Sequence, residues 1–140
     1  MGMIYAEITF SNPRHDELKP ITVQALVDTG SMYTCIPEHL AVQLQLDVSH
    51  HREVTLADGS ARLCPYVGPI ILRFENRSCF TGALVLGDQI LLGAIAMEDM
   101  DLVVSPLTRK LAPNPMSPNF PSGIATKVAQ KSTAFPAITR

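Results

Sequence analysis

Apolar and polar residues alternate in short runs along most of this chain, and turn residues separate the runs. The first run spans residues 4–10 and places four apolar side chains on one side: Ile4, Ala6, Ile8 and Phe10. A period of two predicts a half-buried β-strand. Further strands are predicted at 21–27, 33–36, 54–63 with a turn at Asp58-Gly59, 69–74, 79–86, 90–92 and 102–104. Helical spacing is confined to 37–46 and 94–100, so the sequence predicts an all-β fold with two short helices.

Composition narrows the class of protein. The chain has 140 residues, which favours one domain, and its 46% hydrophobic content is enough for a core. The formal net charge of −2 leaves no basic surplus to neutralise phosphates. Nucleic acid is therefore not an expected partner.

The N-terminus and the cysteines bear on the compartment. The first residues lack the basic segment and the long apolar run of a signal peptide, and no apolar run reaches transmembrane length. The three cysteines, Cys35, Cys64 and Cys79, are odd in number and widely spaced, which predicts reduced, buried thiols. We expect a cytoplasmic protein with no membrane partner, no metal and no cofactor.

Proline marks a change of character near residue 105. Six of the eleven prolines lie from Pro106 onward, with little apolar periodicity between them. The sequence therefore predicts a domain at 1–112 and a Pro-rich irregular tail at 113–140, with 102–112 as a candidate interface hairpin. We also expect the residues beyond Pro113 to be dispensable for folding.

One segment carries chemistry. The apolar strand 21–27 delivers Asp28 into a turn formed by Thr29, Gly30 and Ser31. A carboxylate at the end of a buried strand has to be hydrogen-bonded, paired or functional, because its desolvation is costly. The hydroxyl of Thr29 offers bracing, Gly30 permits close approach of a backbone, and Ser31 can donate to the outer oxygen of the carboxylate.

This segment resembles the active-site motif of aspartic peptidases of the retropepsin type. Two further elements follow in the order of that family: the hairpin at Asp58-Gly59, at the place of the flap, and Leu91-Leu92-Gly93 before a short helix, which is similar to the second signature. The resemblance covers roughly residues 3–111. It implies a small closed β-barrel, equivalent to half of a pepsin-like bilobal fold, and a cellular, bacterial type of relative.

The resemblance also implies a mechanism. Because the chain carries a single Asp-Thr-Gly, the active form would be a homodimer in which two copies of Asp28 activate a water between them. Thr29 would brace the dyad, and Gly30 and Ser31 would lie at the substrate backbone. The flap would comprise Leu56, Ala57, Asp58, Gly59 and Ser60, and the packing beneath the site Leu91, Leu92 and Gly93. The implied function is an aspartic endopeptidase acting on extended polypeptides.

Two features differ from the retroviral enzymes. Met32 and Tyr33 stand where those enzymes place acidic residues, so subsite preference does not transfer and a more apolar pocket is expected. The long Pro-rich tail is the second departure. The alternative function is a non-catalytic dimeric binding or interaction module on the same fold, since fold does not dictate function.

Other candidate groups have plainer interpretations. Cys35 and His39 could form a nucleophile pair, but a buried strand cysteine and a solvated histidine at a helix start are favoured. His50 and His51 are expected in a polar loop. The acidic cluster at 98–101 is expected to be a solvated helix end, because the glycine-containing pattern of a calcium loop is missing. A phosphoryl-transfer aspartate would need a second carboxylate two residues beyond Asp28, and none is there.

Overall fold

The computed structural model describes residues 2–126. Nine strands and two short helices follow one another along the chain: β1 (Tyr5–Ser11), β2 (Ile21–Val27), β3 (Cys35–Ile36), α1 (Glu38–Gln43), β4 (Asp47–Thr55), β5 (Ala61–Phe74), β6 (Arg77–Val85), β7 (Leu91–Leu92), α2 (Ala94–Asp99), β8 (Leu102–Ser105) and β9 (Lys110–Pro113). The all-β class predicted from the sequence is confirmed. Neither helix in this part of the chain has the length and apolar character needed to span a membrane.

The strands form a ring with one additional edge strand. Seven strands follow the order β1-β2-β7-β3-β6-β5-β4, and a further pairing of β1 with β5 closes the first six into a ring. Among the described residues, strand β4 pairs only with β5, and its other edge has no partner strand there. Strands β8 and β9 form a separate antiparallel hairpin.

The predicted alternation creates the core inside the ring. In β1, Ala6, Ile8 and Phe10 are buried while Tyr5 and Glu7 are exposed. The largest fully buried apolar side chains come from segments spread between residues 8 and 100: Phe10, Ile8, Ile36, Leu44, Ile70, Leu72, Leu84, Leu92 and Met100. Each contributes about 1.5–3 kcal/mol relative to an exposed position.

Two strands extend further than the sequence predicts. His50 and His51 lie in β4, so the expectation of a polar loop there is wrong. An edge strand accepts polar side chains because little of it is buried. Its sequence therefore lacks the alternation of apolar and polar residues by which a strand is predicted. Strand β5 runs without a break over Ala61–Phe74 and so joins two segments, 61–63 and 69–74, that the sequence predicted as separate strands. Its prolines are tolerated because β5 pairs only with β4 at Pro65, while Pro69 lies at an irregularity between Val67 and Ile70.

The segment 114–122 is irregular but attached to the domain. The side chain of Arg77 is 1% exposed, and its Nη2 donates to the carbonyl of Ser117. The carboxylate of Asp101 accepts hydrogen bonds from the Asn114 amide, the Ser117 hydroxyl and the Ser122 N–H. These contacts argue against a dispensable tail, whereas the boundary at residue 112 stays a prediction. Residues 127–140 of the predicted tail lie outside the described residues.

Candidate active site

The end of β2 places Asp28 at the mouth of a cleft. Strand β2 runs parallel to β7, with Val27 opposite Leu92. The backbone N–H of Asp28 donates to the carbonyl of Leu92 at 3.1 Å, so the strand pairing continues up to the carboxylate residue itself. The side chain of Asp28 is half-buried. It is thus both fixed by the sheet and open to a ligand.

Both carboxylate oxygens of Asp28 have local donors. The N–H of Gly30 donates to Oδ1 at 3.0 Å, and the hydroxyl of Ser31 donates to Oδ2 at 2.9 Å. A Cβ on Gly30 would lie 3.3 Å from Oδ1, which explains why a small residue suits this position. Charge-assisted bonds of this kind orient a carboxylate strongly. Thr29 is exposed at the tip of the turn.

The segment Leu91–Gly93 lies directly beside the loop that carries Asp28. The N–H groups of Ala94 and Ile95 donate to the carbonyls of Ser31 at 2.7 Å and Met32 at 3.1 Å. The N–H of Gly93 donates to the buried hydroxyl of Thr34 at 3.3 Å. A Cβ on Gly93 would lie 2.4 Å from the carbonyl carbon and oxygen of Tyr33, so only glycine allows this approach. The start of α2 therefore holds the Asp28 loop in place through these hydrogen bonds and this close backbone contact.

A cleft of about 570 Å³ extends from Asp28. Its wall is largely apolar, and the contributing side chains come from separate parts of the chain: Met32, Tyr33, Cys35, Val54, Leu56, Ala57, Leu84, Leu86 and Leu91. Asp28 and Glu53 are the acidic residues that line it. An apolar cavity with a few convergent polar groups is typical of a ligand site.

The predicted flap is the hairpin between β4 and β5. The N–H of Gly59 donates to the carbonyl of Leu56 at 2.9 Å, and Gly59 has a φ of +87°, which an L-residue with a side chain rarely adopts. Asp58 Oδ1 accepts from the N–H and the hydroxyl of Ser60, and these bonds lower the pKa of Asp58 below its ordinary value. Leu56 and Ala57 line the cleft, whereas Asp58, Gly59 and Ser60 form the turn.

Cys35 lies in the cleft wall and was not predicted there. Burial raises the pKa of its thiol to about 11, with further contributions from Cys64 and from the charge of Asp28. The thiol is therefore protonated at neutral pH and unsuited to act as a nucleophile. His39 is exposed on α1, so the plain interpretation of the Cys35–His39 pair is confirmed. Leu84 and Leu86 were also not predicted as cleft residues. They lie more than 50 positions after Asp28, and no local pattern indicates that this strand packs beside it.

The other acidic and metal-ligating residues form no site of their own. Across residues 2–126, no three His, Cys, Asp or Glu side chains are arranged to hold a metal ion. In the acidic cluster at 98–101, Asp101 contacts the segment 114–122.

The fold and the sequence around Asp28 each resemble those of retropepsin-like proteins. A solved structure, the retroviral protease-like domain of Ddi1 from Leishmania major, matches with a TM-score of 0.56 at 14% identity, over 82% of this chain and 90% of that one. The family model described as aspartyl protease matches residues 16–69, a range that contains both Asp28 and the flap hairpin. No curated protein matches the chain by sequence. The two matches confirm the resemblance to retropepsin-like aspartic proteases and support a protease-type function.

Proposed function

We propose that two copies of this chain form an aspartic endopeptidase that hydrolyses peptide bonds in extended polypeptides. The observation that carries the proposal is the position of Asp28, whose carboxylate is oriented by Gly30 and Ser31 and opens into an apolar cleft. Of the residues that the structure describes, one aspartate lines the cleft, which is half of what the chemistry needs. A twofold axis beside the Asp28 loop supplies the other half.

The two carboxylates would act as a unit. Two such groups in contact share one proton, because both cannot be ionised at that distance; aspartic proteases are the standard example of this behaviour. The ionised carboxylate takes a proton from a water molecule as that water attacks the scissile carbonyl carbon. The protonated partner, a carboxylic acid, donates a hydrogen bond to the carbonyl oxygen. The carboxyl group that took the proton from the water then gives it to the amine nitrogen as the C–N bond breaks. The titration belongs to the pair and not to either residue.

The surface around Asp28 supports association with a second copy. Thr29 is exposed at the tip of the loop, where its hydroxyl is available to a partner. Large apolar side chains are exposed in the segments that meet this loop: Met3 is 73% exposed, Met32 59% and Ile95 46%. The backbone of Ile4 belongs to the same patch, since its carbonyl accepts from the N–H of Val27 at 2.8 Å. Apolar side chains that are contiguous and exposed are typical of an interface.

The flap supports an extended ligand. Leu56 and Ala57 of the flap line the cleft. The neighbouring strand β4 lies at the end of the strand order, with no partner strand on its outer side among the described residues. A polypeptide in the extended conformation can pair with such an edge while its side chains enter the cleft. Closure of the hairpin over the bound peptide would exclude water from the reacting bond.

The test compares the wild-type protein with Asp28→Asn and with a matched control, Asp88→Asn, which changes an exposed aspartate in the turn after β6. Each protein is incubated with unfolded casein from acid to neutral pH, and its mass in solution is measured by sedimentation. We expect cleavage by the wild type and by Asp88→Asn, none by Asp28→Asn, and a dimer in all three. A well-formed dimer that cleaves nothing favours the non-catalytic binding module. Cleavage that survives Asp28→Asn, or a protein that is monomeric at every concentration, contradicts the proposal.

A further inference from the structure

A second groove, of about 510 Å³, lies outside the cleft. Strands β4, β5 and β6 all contribute to it, and Arg14 and Asp47 form an ion pair of 3.4 Å at its border. Phe80 is 74% exposed and Val48 54% exposed in its wall. An exposed aromatic ring and an exposed valine that line one concave surface are unusual for a solvated sheet and indicate a binding surface.

The groove and the cleft share one face of the sheet. Successive side chains of a strand point to opposite faces, so Phe80, Gly82 and Leu84 of β6 point the same way. Phe80 and Gly82 line the groove, while Leu84 lines the cleft. Of the alternate positions, Cys79 and Ala83 belong to the core, whereas Thr81 also lines the groove. The groove and the cleft therefore lie side by side on this face of β6, with Gly82 between Phe80 and Leu84.

The open edge of β4 runs past both sites. Val48 and Ser49, near the start of β4, line the groove, and residues 53–55, at its end, line the cleft. Within residues 2–126, β4 pairs only with β5, so no strand of this part of the chain occupies its other side. An extended polypeptide paired with this edge would contact the cleft and the groove together.

A cluster of side chains in mutual contact lies between the two sites. The guanidinium of Arg52 lies 3.9 Å from the ring centroid of Tyr66 and 5.1 Å from that of Tyr33. Its Nε donates to His50 Nε2 at 2.9 Å. Tyr66 lies over Gly82, where a Cβ would come within 2.3 Å of the ring. Tyr66 lines the groove and Tyr33 lines the cleft, so this cluster is the shared wall.

We propose that the groove is an accessory subsite for the same polypeptide that occupies the cleft, and that it takes an apolar side chain of that polypeptide. The inference rests on the proposed function. Leu84 and Phe80 are four positions apart on β6, which corresponds to about 13 Å along a strand. The side chain in the groove would thus be about four residues from the one beside Leu84. Because Arg14 and Asp47 neutralise each other at the border, the groove favours an uncharged segment.

The experiment measures binding and not cleavage. In the Asp28→Asn background, fluorescence anisotropy compares a labelled apolar peptide of about six residues with versions extended at either end by about six residues that include a phenylalanine. Phe80→Ser removes the exposed ring of the groove, and Leu107→Ser is the matched control, since Leu107 is 94% exposed in the turn between β8 and β9.

We expect one of the extended peptides to bind more tightly than the short one. Phe80→Ser should abolish this gain, a loss of about tenfold, because the buried contact of an aromatic side chain disappears. Binding of the short peptide should stay unchanged, and Leu107→Ser should change neither. Val48→Ser, a second exposed position, should give a smaller loss for the same peptide.

Three results would overturn the inference: no gain from either extension, an unchanged gain in Phe80→Ser, or an equal loss for the short and extended peptides. Failure of the proposed function is distinguishable, because it appears as absence of casein cleavage by the wild type whatever the anisotropy shows.

Discussion

Gly93→Ala should weaken both the fold and the support of the Asp28 loop. The added Cβ would lie 2.4 Å from the carbonyl carbon and oxygen of Tyr33 and 2.8 Å from the carbonyl oxygen of Met32. Ordinary contact begins near 3.4 Å. The loop and the start of α2 must therefore separate by about 1 Å, since backbone atoms cannot rotate away as a side-chain end can.

The magnitude follows from the contacts that this separation would strain. Overpacking costs about 1–3 kcal/mol, and each hydrogen bond that is lost adds about 1 kcal/mol. Three hydrogen bonds cross this contact, from Gly93 to Thr34, from Ala94 to Ser31 and from Ile95 to Met32. A loss of about 2–4 kcal/mol is expected, which lowers the melting temperature by about 8–16 °C in a domain of this size.

Thermal unfolding followed by circular dichroism measures the effect. Gly123→Ala is the matched control, because no atom lies within 4 Å of a Cβ placed there. We expect the control to melt with the wild type and Gly93→Ala to melt well below both. A Gly93→Ala protein that melts within about 2 °C of the wild type would show that the loop yields freely, and would refute this account of the site.

Three further predictions concern the rest of the domain. Hydrogen bonds from the Ser117 hydroxyl and the Ser122 N–H lower the pKa of Asp101 in the folded protein. The stabilisation by the ionised Asp101 is therefore complete above the pKa of about 3.9 in the unfolded chain and is lost as pH falls through the lower folded value. Between pH 5 and pH 3 the urea midpoint should fall less in Asp101→Asn than in the wild type, and equal falls would contradict this. A chain that ends at Pro113 lacks the Ser117 carbonyl that accepts from buried Arg77, so its free energy of unfolding should fall by about 1–3 kcal/mol. A chain that ends at residue 126 keeps this acceptor and is the control. Equal urea midpoints for the two chains would support a dispensable tail. Burial raises the pKa of Cys35 to about 11 and that of Cys79 to about 12, so iodoacetamide at pH 8 should label both far more slowly in the native than in the denatured protein, as mass spectrometry would show.

The sequence by itself determined the class of fold and the central motif. The alternation of apolar and polar residues in 4–10 and 21–27 predicted β1 and β2 correctly. Successive side chains of a strand point to opposite faces, so a half-buried strand shows a period of two in its sequence. Asp28, the hairpin at Asp58-Gly59 and Leu91-Leu92-Gly93 were recognised because they resemble, in the same order, the motifs of retropepsin-type peptidases. Turn geometry and strand pattern are local properties, and they are written in consecutive residues.

Only the tertiary structure decided which distant residues meet. Leu84 and Leu86 line the cleft because β3 lies between β6 and β7 in the sheet, an order that no local pattern encodes. The polar start of β4 became a strand because β5 offered it a partner, and Arg77 became buried because the segment 114–122 covers it. These outcomes depend on contacts between segments far apart in the chain. Such contacts stabilise a segment only when the ring of strands has formed and brought its partner next to it.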